Sequence, residues 1–213
     1  MKLITFFITL PLVLMAQNFQ LHYDLGSDRR FVTTTFEMFK PDEYGSTFMF
    51  IDFDYDRPGN KSISLAYIEL SRYIHSGLIK DLSFSFQYND GTAPWGPLGH
   101  VWLVGISYPL KLGFMTLNLD VLHRYDVRSQ GSAAQLTFSW FHVIRNHWQF
   151  AGFFDIWSAK YQHEQRLVVL AEPQFWYLLM NHLAFGSELE ISKNFLPTDK
   201  WEIKPTVALK WIF

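Results

Sequence analysis

Apolar and polar residues alternate with a period of two in segment after segment of this 213-residue chain. In DLSFSFQYN, for example, Leu82, Phe84 and Phe86 are separated by polar side chains. Successive side chains of a β-strand point to opposite faces, so each such segment is predicted to have one apolar and one polar face. No convincing helical pattern follows Gln17. The alternation therefore predicts a chain built wholly of β-strands.

The pattern predicts about twelve strands, most of them near the 9–11 residues with which a tilted strand crosses a membrane. Turn residues separate them, as in KPDEYGS and DRPGNKS, and no linker or second domain interrupts the series. Pro173 and Pro205 fall inside strands without the N–H of a ladder bond, and local bulges are one way to accommodate them. The predicted strands are 17–25, 30–39, 46–56, 62–74, 80–89, 98–109, 112–125, 131–143, 146–158, 165–178, 181–192 and 201–213.

Alternation alone fits both a soluble sandwich with an apolar interior and a membrane barrel with an apolar exterior. The composition favours the barrel, because charged residues make up 18% of the chain and aromatic residues also reach 18%. Soluble domains carry roughly 25% charged residues. Aromatic residues also gather near the predicted strand ends, as they do at membrane interfaces. We predict an all-β fold, a closed antiparallel transmembrane β-barrel of the bacterial outer membrane; a secreted or periplasmic β-protein is the alternative.

The two ends of the chain support an envelope protein. Residues 1–16 are predicted to be a cleaved signal peptide, because Lys2 precedes an apolar run that is too short to span a membrane. A retained anchor is the alternative. Residues 17–213 then form the barrel, which ends on the strand WEIKPTVALKWIF. The terminal Phe213 resembles the signal by which outer-membrane barrels are recognised, so barrel-assembly machinery and outer-membrane lipid are the expected partners.

The polar face of the predicted barrel is rich in carboxylates. Rings of carboxylates give a bore a negative potential, which favours cations or neutral hydrogen-bonding solutes over anions. Alternation does not decide which face of strand 98–109 points inward, since His100 and Trp102 compete with Val101 and Leu103 for the interior. The predicted inward bases are Arg124, Lys204 and Lys210, and the predicted inward acids are Asp24, Glu37, Asp52, Asp54, Glu69, Asp120, Asp155, Glu172, Glu188, Glu190 and Glu202.

A twelve-stranded barrel lies between small barrels filled by side chains and large barrels with an open channel. Its interior is therefore either a hydrated passage or a cylinder plugged by paired charges. The predicted inward acids outnumber the bases, and unpaired carboxylates cost less where water reaches them. A narrow channel for small polar solutes is the favoured interpretation, and a non-conducting structural or adhesive barrel is the alternative.

Three stretches resemble successive strands of the nucleoside-specific (Tsx-like) channel family of outer-membrane proteins, and a shorter Bacteroidetes branch related to it. They are TTTFEMF (Thr33–Phe39), FMFIDFDYDRPG (Phe48–Gly59) and AYIELSRY (Ala66–Tyr73). The resemblance implies a twelve-stranded barrel whose lumenal aromatic and ionisable residues bind a nucleoside during passage. By position it implies the acids Glu37, Asp52, Asp54 and Glu69 as ligands of the solute, with Phe39, Phe50 and Tyr67 as stacking surfaces.

Other activities find little support. A barrel lipid hydrolase needs Ser and His together, but in FSWFHVIRNH the residues Ser139 and His142 have opposite parity, with Asn146 and His147 nearby. The eight histidines show no metal-ligand spacing, and the chain has no cysteine. No enzyme activity, cofactor, metal or nucleic-acid partner is therefore predicted.

A closed barrel predicts a heat-modifiable protein. Purified protein should need detergent to stay dispersed, and unboiled and boiled samples should migrate differently in SDS gels, because a closed hydrogen-bonded cylinder resists unfolding by SDS until it is heated. Protein that disperses freely without detergent would contradict the predicted exterior.

Overall fold

The computed structural model describes residues 16–27, 29–56, 62–129, 131–161, 164–195 and 198–213, and these residues form one sheet of twelve antiparallel barrel strands. Strand β10 consists of two halves that flank Glu172 and Pro173. A two-residue strand, Gly96–Pro97, pairs with β5 outside this series. The strands are β1 (Ala16–Asp24), β2 (Val32–Asp42), β3 (Gly45–Tyr55), β4 (Ile63–His75), β5 (Ser83–Ala93), β6 (Val101–Leu112), β7 (Met115–Asp126), β8 (Gly131–Ile144), β9 (Trp148–Tyr161), β10 (Glu164–Ala171 and Gln174–Met180), β11 (Leu183–Lys193) and β12 (Trp201–Ile212).

The sheet closes on itself because the first and last strands pair. Leu21 of β1 lies opposite Leu209 of β12 on one side and opposite Thr34 of β2 on the other. Each strand also pairs with the next along the chain, so no strand of the series is left with an open edge. The predicted closed twelve-stranded antiparallel barrel is confirmed, and none of the described residues forms a helix long and apolar enough to cross a membrane.

The connections are shorter on the whole at one end of the barrel, although residues 76–82 form a seven-residue connection there. At one end, two-residue turns such as Gly113–Phe114 and Asn181–His182 join consecutive strands. At the other end, several connections span about seven residues, among them 25–31, 94–100 and 194–200. Apart from Ala16, which begins β1, the predicted signal peptide lies outside the described residues. Its cleavage stays a prediction.

The apolar faces of the strands point away from the barrel axis. In β1, Phe19, Leu21 and Tyr23 are each more than 40% exposed, whereas the intervening Gln20 and His22 are buried. The same exchange occurs in β12, where Leu209 and Trp211 are exposed while Lys210 is buried. A soluble β-protein shows the reverse arrangement. Outward apolar and inward polar side chains are the arrangement of a membrane barrel.

The strand whose parity the sequence left open has an apolar inner face. In β6, Val101 and Leu103 are 7% and 0% exposed, whereas Trp102 is 52% exposed on the outside. Leu103 packs with Leu122 of β7 in a small apolar cluster on the inner wall. The interior is therefore not lined by polar residues alone.

Neither Pro173 nor Pro205 shifts the strand register. Around Pro173, both halves of β10 keep one common register with β9, and Gly152 lies against the proline, where a Cβ would come within 2.9 Å of the Pro173 Cα. Pro205 lies opposite Leu189, and the hydroxyl of the next residue, Thr206, accepts a hydrogen bond from the Glu188 N–H at 3.1 Å. The strands therefore accommodate these two prolines without bulges. Gly152 leaves room beside Pro173, and the Thr206 hydroxyl supplies a hydrogen-bond acceptor beside Pro205.

The exposed apolar band predicts a cost for charge that depends on depth. Val121 points outward from the middle of β7, and Val127 lies just past its end. Val121→Arg is expected to destabilise the lipid-embedded barrel by about 2–4 kcal/mol, and Val127→Arg by about 0–1 kcal/mol. Equilibrium unfolding in lipid vesicles measures both costs. Equal costs at the two sites would contradict a band that faces lipid.

Candidate functional site

The inner wall of β1 to β5 carries a row of polar and aromatic side chains. The register places Glu37 opposite both Asn18 and Phe50, and Glu69 opposite both Phe50 and Asn89. The amide groups of Asn18 and Asn89 donate to Glu37 and Glu69 at 3.0 and 2.9 Å. Each carboxylate is therefore held in place by an amide from a neighbouring strand.

Hydroxyl groups hold the other carboxylates of this wall. Thr35 donates to Asp52 at 2.6 Å, and Thr33 donates to Asp54 at 2.6 Å. The Tyr67 hydroxyl donates to Glu69, also at 2.6 Å. These distances lie at the short end of the range for O–H···O hydrogen bonds. The TTTFEMF and FMFIDFDY stretches thus form one ladder, in which β2 supplies donors and β3 supplies acids.

Carboxylates of other strands are held in a similar way. Glu188 of β11 accepts from the Gln174 amide at 2.6 Å. Asp120 of β7 accepts from the Tyr73 hydroxyl at 3.0 Å and from the Gln87 amide at 2.9 Å. Carboxylates therefore line the bore around much of its circumference.

These acids converge on the middle of the bore. Glu172, between the halves of β10, interacts electrostatically with Glu188 beside it and with Asp52 and Glu69 across the barrel. Asp155 of β9 likewise interacts with Glu69. Strands β3 and β4 lie about half the barrel away from β9 and β10 in the strand order. Inward acids of these strands therefore face one another across the bore.

The central acids are less deeply buried than some other residues of the inner wall. Six inward acids near the middle of the barrel are only half-buried: Glu37, Asp52, Glu69, Asp155, Glu172 and Glu188. We call the space among them the central chamber. By contrast, Gln20, Leu103 and Trp176 on the same inner wall are 0% exposed. The carboxylates around the chamber are therefore among the inner-wall groups that keep some surface accessible to a water-sized molecule.

The three inward bases predicted from the sequence lie on the inner wall. Arg124 donates to Gln135 at 2.7 Å, and its guanidinium carbon lies 4.7 Å from the centre of the Trp157 ring. Lys204 pairs with Glu202 at 3.2 Å near the start of β12. Lys210, near the other end of that strand, lies over Trp176. These bases lie apart on the wall, and the inward acids outnumber them.

A loop residue adds a further base that parity did not identify. Arg29, in the connection after β1, forms ion pairs with Glu190 at 2.7 Å and with Asp24 at 3.4 Å. Burial disfavours its charged form, but the two carboxylates outweigh this effect and raise the pKa of Arg29 above its ordinary value. Asp24 and Glu190 are therefore neutralised from the loop end of the barrel. The alternation of strand faces does not apply to a loop residue, so it could not predict that Arg29 reaches the inner wall.

The predicted stacking residues are only partly brought together. Phe50 and Tyr67 face the bore with ring centres 6.1 Å apart, and Phe48 extends this pair at a further 6.1 Å. Phe39 lies opposite Phe48 toward the end of β2 and is 42% exposed. The lumen also contains three aromatic residues that were not predicted to line it: Phe48, Trp157 and Trp176. Each lies an even number of positions from an inward acid, namely Asp52, Asp155 and Glu172, so alternation could have identified them.

Neither a serine–histidine pair nor a metal-binding cluster was predicted from the sequence. Ser139 of β8 lies opposite Phe153, whose side chain packs in an inner-wall cluster, whereas the His142 ring contacts Phe114 on the outside. Within the described parts of the chain, no group of three His, Asp or Glu side chains is arranged to hold a metal ion. The inner wall therefore offers hydrogen-bonding and charged groups, with no assembled catalytic triad at Ser139.

Solved structures similar to this one are outer-membrane barrels. The NanC porin, in a rhombohedral crystal form, matches with a TM-score of 0.62 at 10% sequence identity, over 92% of this chain and 99% of that one. The KdgM porin matches with a TM-score of 0.56 at 6% identity, over 93% and 99%. Such low identity establishes the shared fold, and this fold is consistent with the predicted location in the bacterial outer membrane.

A comparison with curated proteins finds no match. A family model, described as "Domain of unknown function (DUF5020)", matches residues 16–213, which is the whole of the barrel. The chain therefore belongs to the DUF5020 family.

Proposed function

We propose that this barrel is a narrow outer-membrane channel for small polar solutes that are neutral or positively charged. The central chamber is the observation that carries the proposal: half-buried carboxylates from opposite walls surround a space that water can reach. Unpaired carboxylates in a sealed apolar core would be far more costly. The surrounding medium is outer-membrane lipid, and barrel-assembly machinery is the proposed partner during insertion.

The sign of the lumenal charge restricts the solute. Carboxylates that face a bore attract cations and repel anions. The KdgM porin has been solved in complex with disordered oligogalacturonate, which is a polyanion. The acid-rich wall of the present barrel opposes a solute of that charge. A shared fold is therefore proposed to serve a different class of solute.

Nucleosides are the specific solutes that we propose. The Tsx-like resemblance covers the strands that carry Phe50, Asp52, Tyr67 and Glu69, and these four side chains lie together on the inner wall. Aromatic faces stack on a base, while carboxylates accept hydrogen bonds from sugar hydroxyls. Because a neutral nucleoside does not offset the lumenal charge, its binding should be weak enough to permit release.

A non-conducting structural barrel is the second candidate, and tight packing of part of the inner wall favours it. Leu103 and Trp176 are fully buried on the inside, and Trp157 packs with Val168 and Leu170 in another inner cluster. Side chains that fill a barrel stabilise it without leaving a path. The two candidates differ in whether ions cross a membrane that contains the purified protein.

A lipid hydrolase is the third candidate and is disfavoured. Its serine and histidine would have to lie within hydrogen-bonding distance of each other. The pairing of β8 with β9 keeps one register from Gln135 to Ile144, so Ser139 and His142 stay on opposite faces of the wall.

The channel proposal predicts small conductance steps in planar bilayers, with cations preferred over chloride. Removing one lumenal charge should lower this preference, because each carboxylate contributes to the negative potential of the bore. Glu37→Gln and Asp54→Asn keep an oxygen acceptor for Asn18 and Thr33, so they remove charge with little change in packing. The reversal potential in a salt gradient measures the effect, and added nucleoside should partly block the current.

Asp90→Asn is the matched control for this experiment. Asp90 lies opposite Ile68 on the outer face of the barrel, where the Tyr88 hydroxyl donates to it at 2.7 Å. Its replacement should leave the reversal potential unchanged. Absence of any current would favour the structural barrel, and equal selectivity in all the variants would show that the inward acids do not control conduction.

A further inference from the structure

A single large side chain fills one side of the bore next to the central chamber. Trp176 lies in the second half of β10, toward the barrel end that carries the Asn181–His182 turn, and it is 0% exposed. It has the same parity as Gln174 and Glu172, so its indole points inward. No other lumenal aromatic side chain among the described residues is so completely enclosed.

The neighbouring strands provide the space for this indole. Trp176 lies opposite Gly186 of β11, Gly186 lies opposite Ala208 of β12, and Ala208 lies opposite His22 of β1. A Cβ on Gly186 would come within 2.4 Å of the indole Cε3. At the far end of the row, the His22 and Trp176 rings meet edge to face with centres 5.8 Å apart. The indole therefore occupies the space that two larger side chains would fill.

Polar contacts fix the indole in this position. Its Nε1 donates to the Gln174 side-chain oxygen at 2.9 Å, and the Gln174 amide donates in turn to Glu188 of the central chamber. The Lys210 Nζ lies 4.0 Å from the centre of the indole, over one of its faces. Lys210 is only 4% exposed and interacts electrostatically with Glu37 and Glu188. A cation over an indole face is a favourable pairing.

We infer that Trp176, covered by Lys210, forms the constriction of the bore on this side of the central chamber. The inference rests on the proposed channel function and adds the residue that sets its size limit. The indole narrows the path, while the lysine places a positive charge beside the acids and so moderates the preference for cations. A solute that leaves the chamber toward the Asn181–His182 end must pass this pair.

Conductance tests the constriction. Trp176→Ala should increase the single-channel conductance by roughly two-fold or more, because a wider path carries more ions. Phe175→Ala is the matched control, since Phe175 is the adjacent aromatic residue and points outward with 46% exposure. Lys210→Met keeps an aliphatic cover on the indole but removes the charge. It should raise the cation preference more than it changes the conductance.

A second readout does not depend on ion flow. The chain has no cysteine, so Ala208→Cys introduces a single thiol beneath the indole. A membrane-impermeant thiol reagent should modify it slowly when Trp176 is present and several-fold faster when Trp176→Ala is added. Heat-modifiable migration in gels identifies folded protein. If Trp176→Ala does not fold, Trp176→Leu takes its place in both assays and should give smaller increases in the same direction.

The outcomes separate this inference from the proposed function. If the native protein conducts and the Trp176 variants match it in conductance and thiol reactivity, the constriction is overturned and the channel remains. If only the Trp176 variants conduct, the constriction is supported and conduction by the native chain is overturned. If neither conducts and the thiol stays protected in the variants, both ideas are overturned.

Discussion

Pairing of the first strand with the last is the interaction on which the rest of the structure depends. A bilayer offers no water to unpaired N–H and C=O groups, so a sheet can lie in it only when every strand has two neighbours. The Leu21–Leu209 seam between β1 and β12 meets this requirement. Closure also fixes the two surfaces, because alternation then directs one face of every strand to lipid and the other to a shared interior.

The interior that closure creates carries more acids than bases, so most of its carboxylates cannot be paired with a cation. Several carboxylates of the inner wall are held by amides or hydroxyls, as Asp120 is by Tyr73 and Gln87. Such donors stabilise a carboxylate without cancelling its charge. Arg29 and Lys210 offset charge toward the two ends of the barrel, while the centre stays acidic. Fixed charge around this space is the physical basis of the proposed selective path.

Much of this architecture could be predicted from alternation alone. A period of two identified all twelve barrel strands, with ends within about four residues of those in the structure. It also placed Glu37, Asp54 and Glu188 on the inward face, as the structure does. Alternation does not show which side chains meet across the bore, because that depends on register and closure. The cover of Lys210 over Trp176 and the reach of Arg29 from its loop therefore became visible only in the structure.

The proposed channel requires water and cations in the space among Asp52, Glu69 and Glu188 while apolar side chains face lipid. A diffraction experiment on crystals of the detergent-purified barrel, soaked in a rubidium salt, tests it most directly. The account predicts anomalous scattering from rubidium and ordered water between these carboxylates. Side chains packed continuously across the centre of the bore, with neither ion nor water among them, would contradict it.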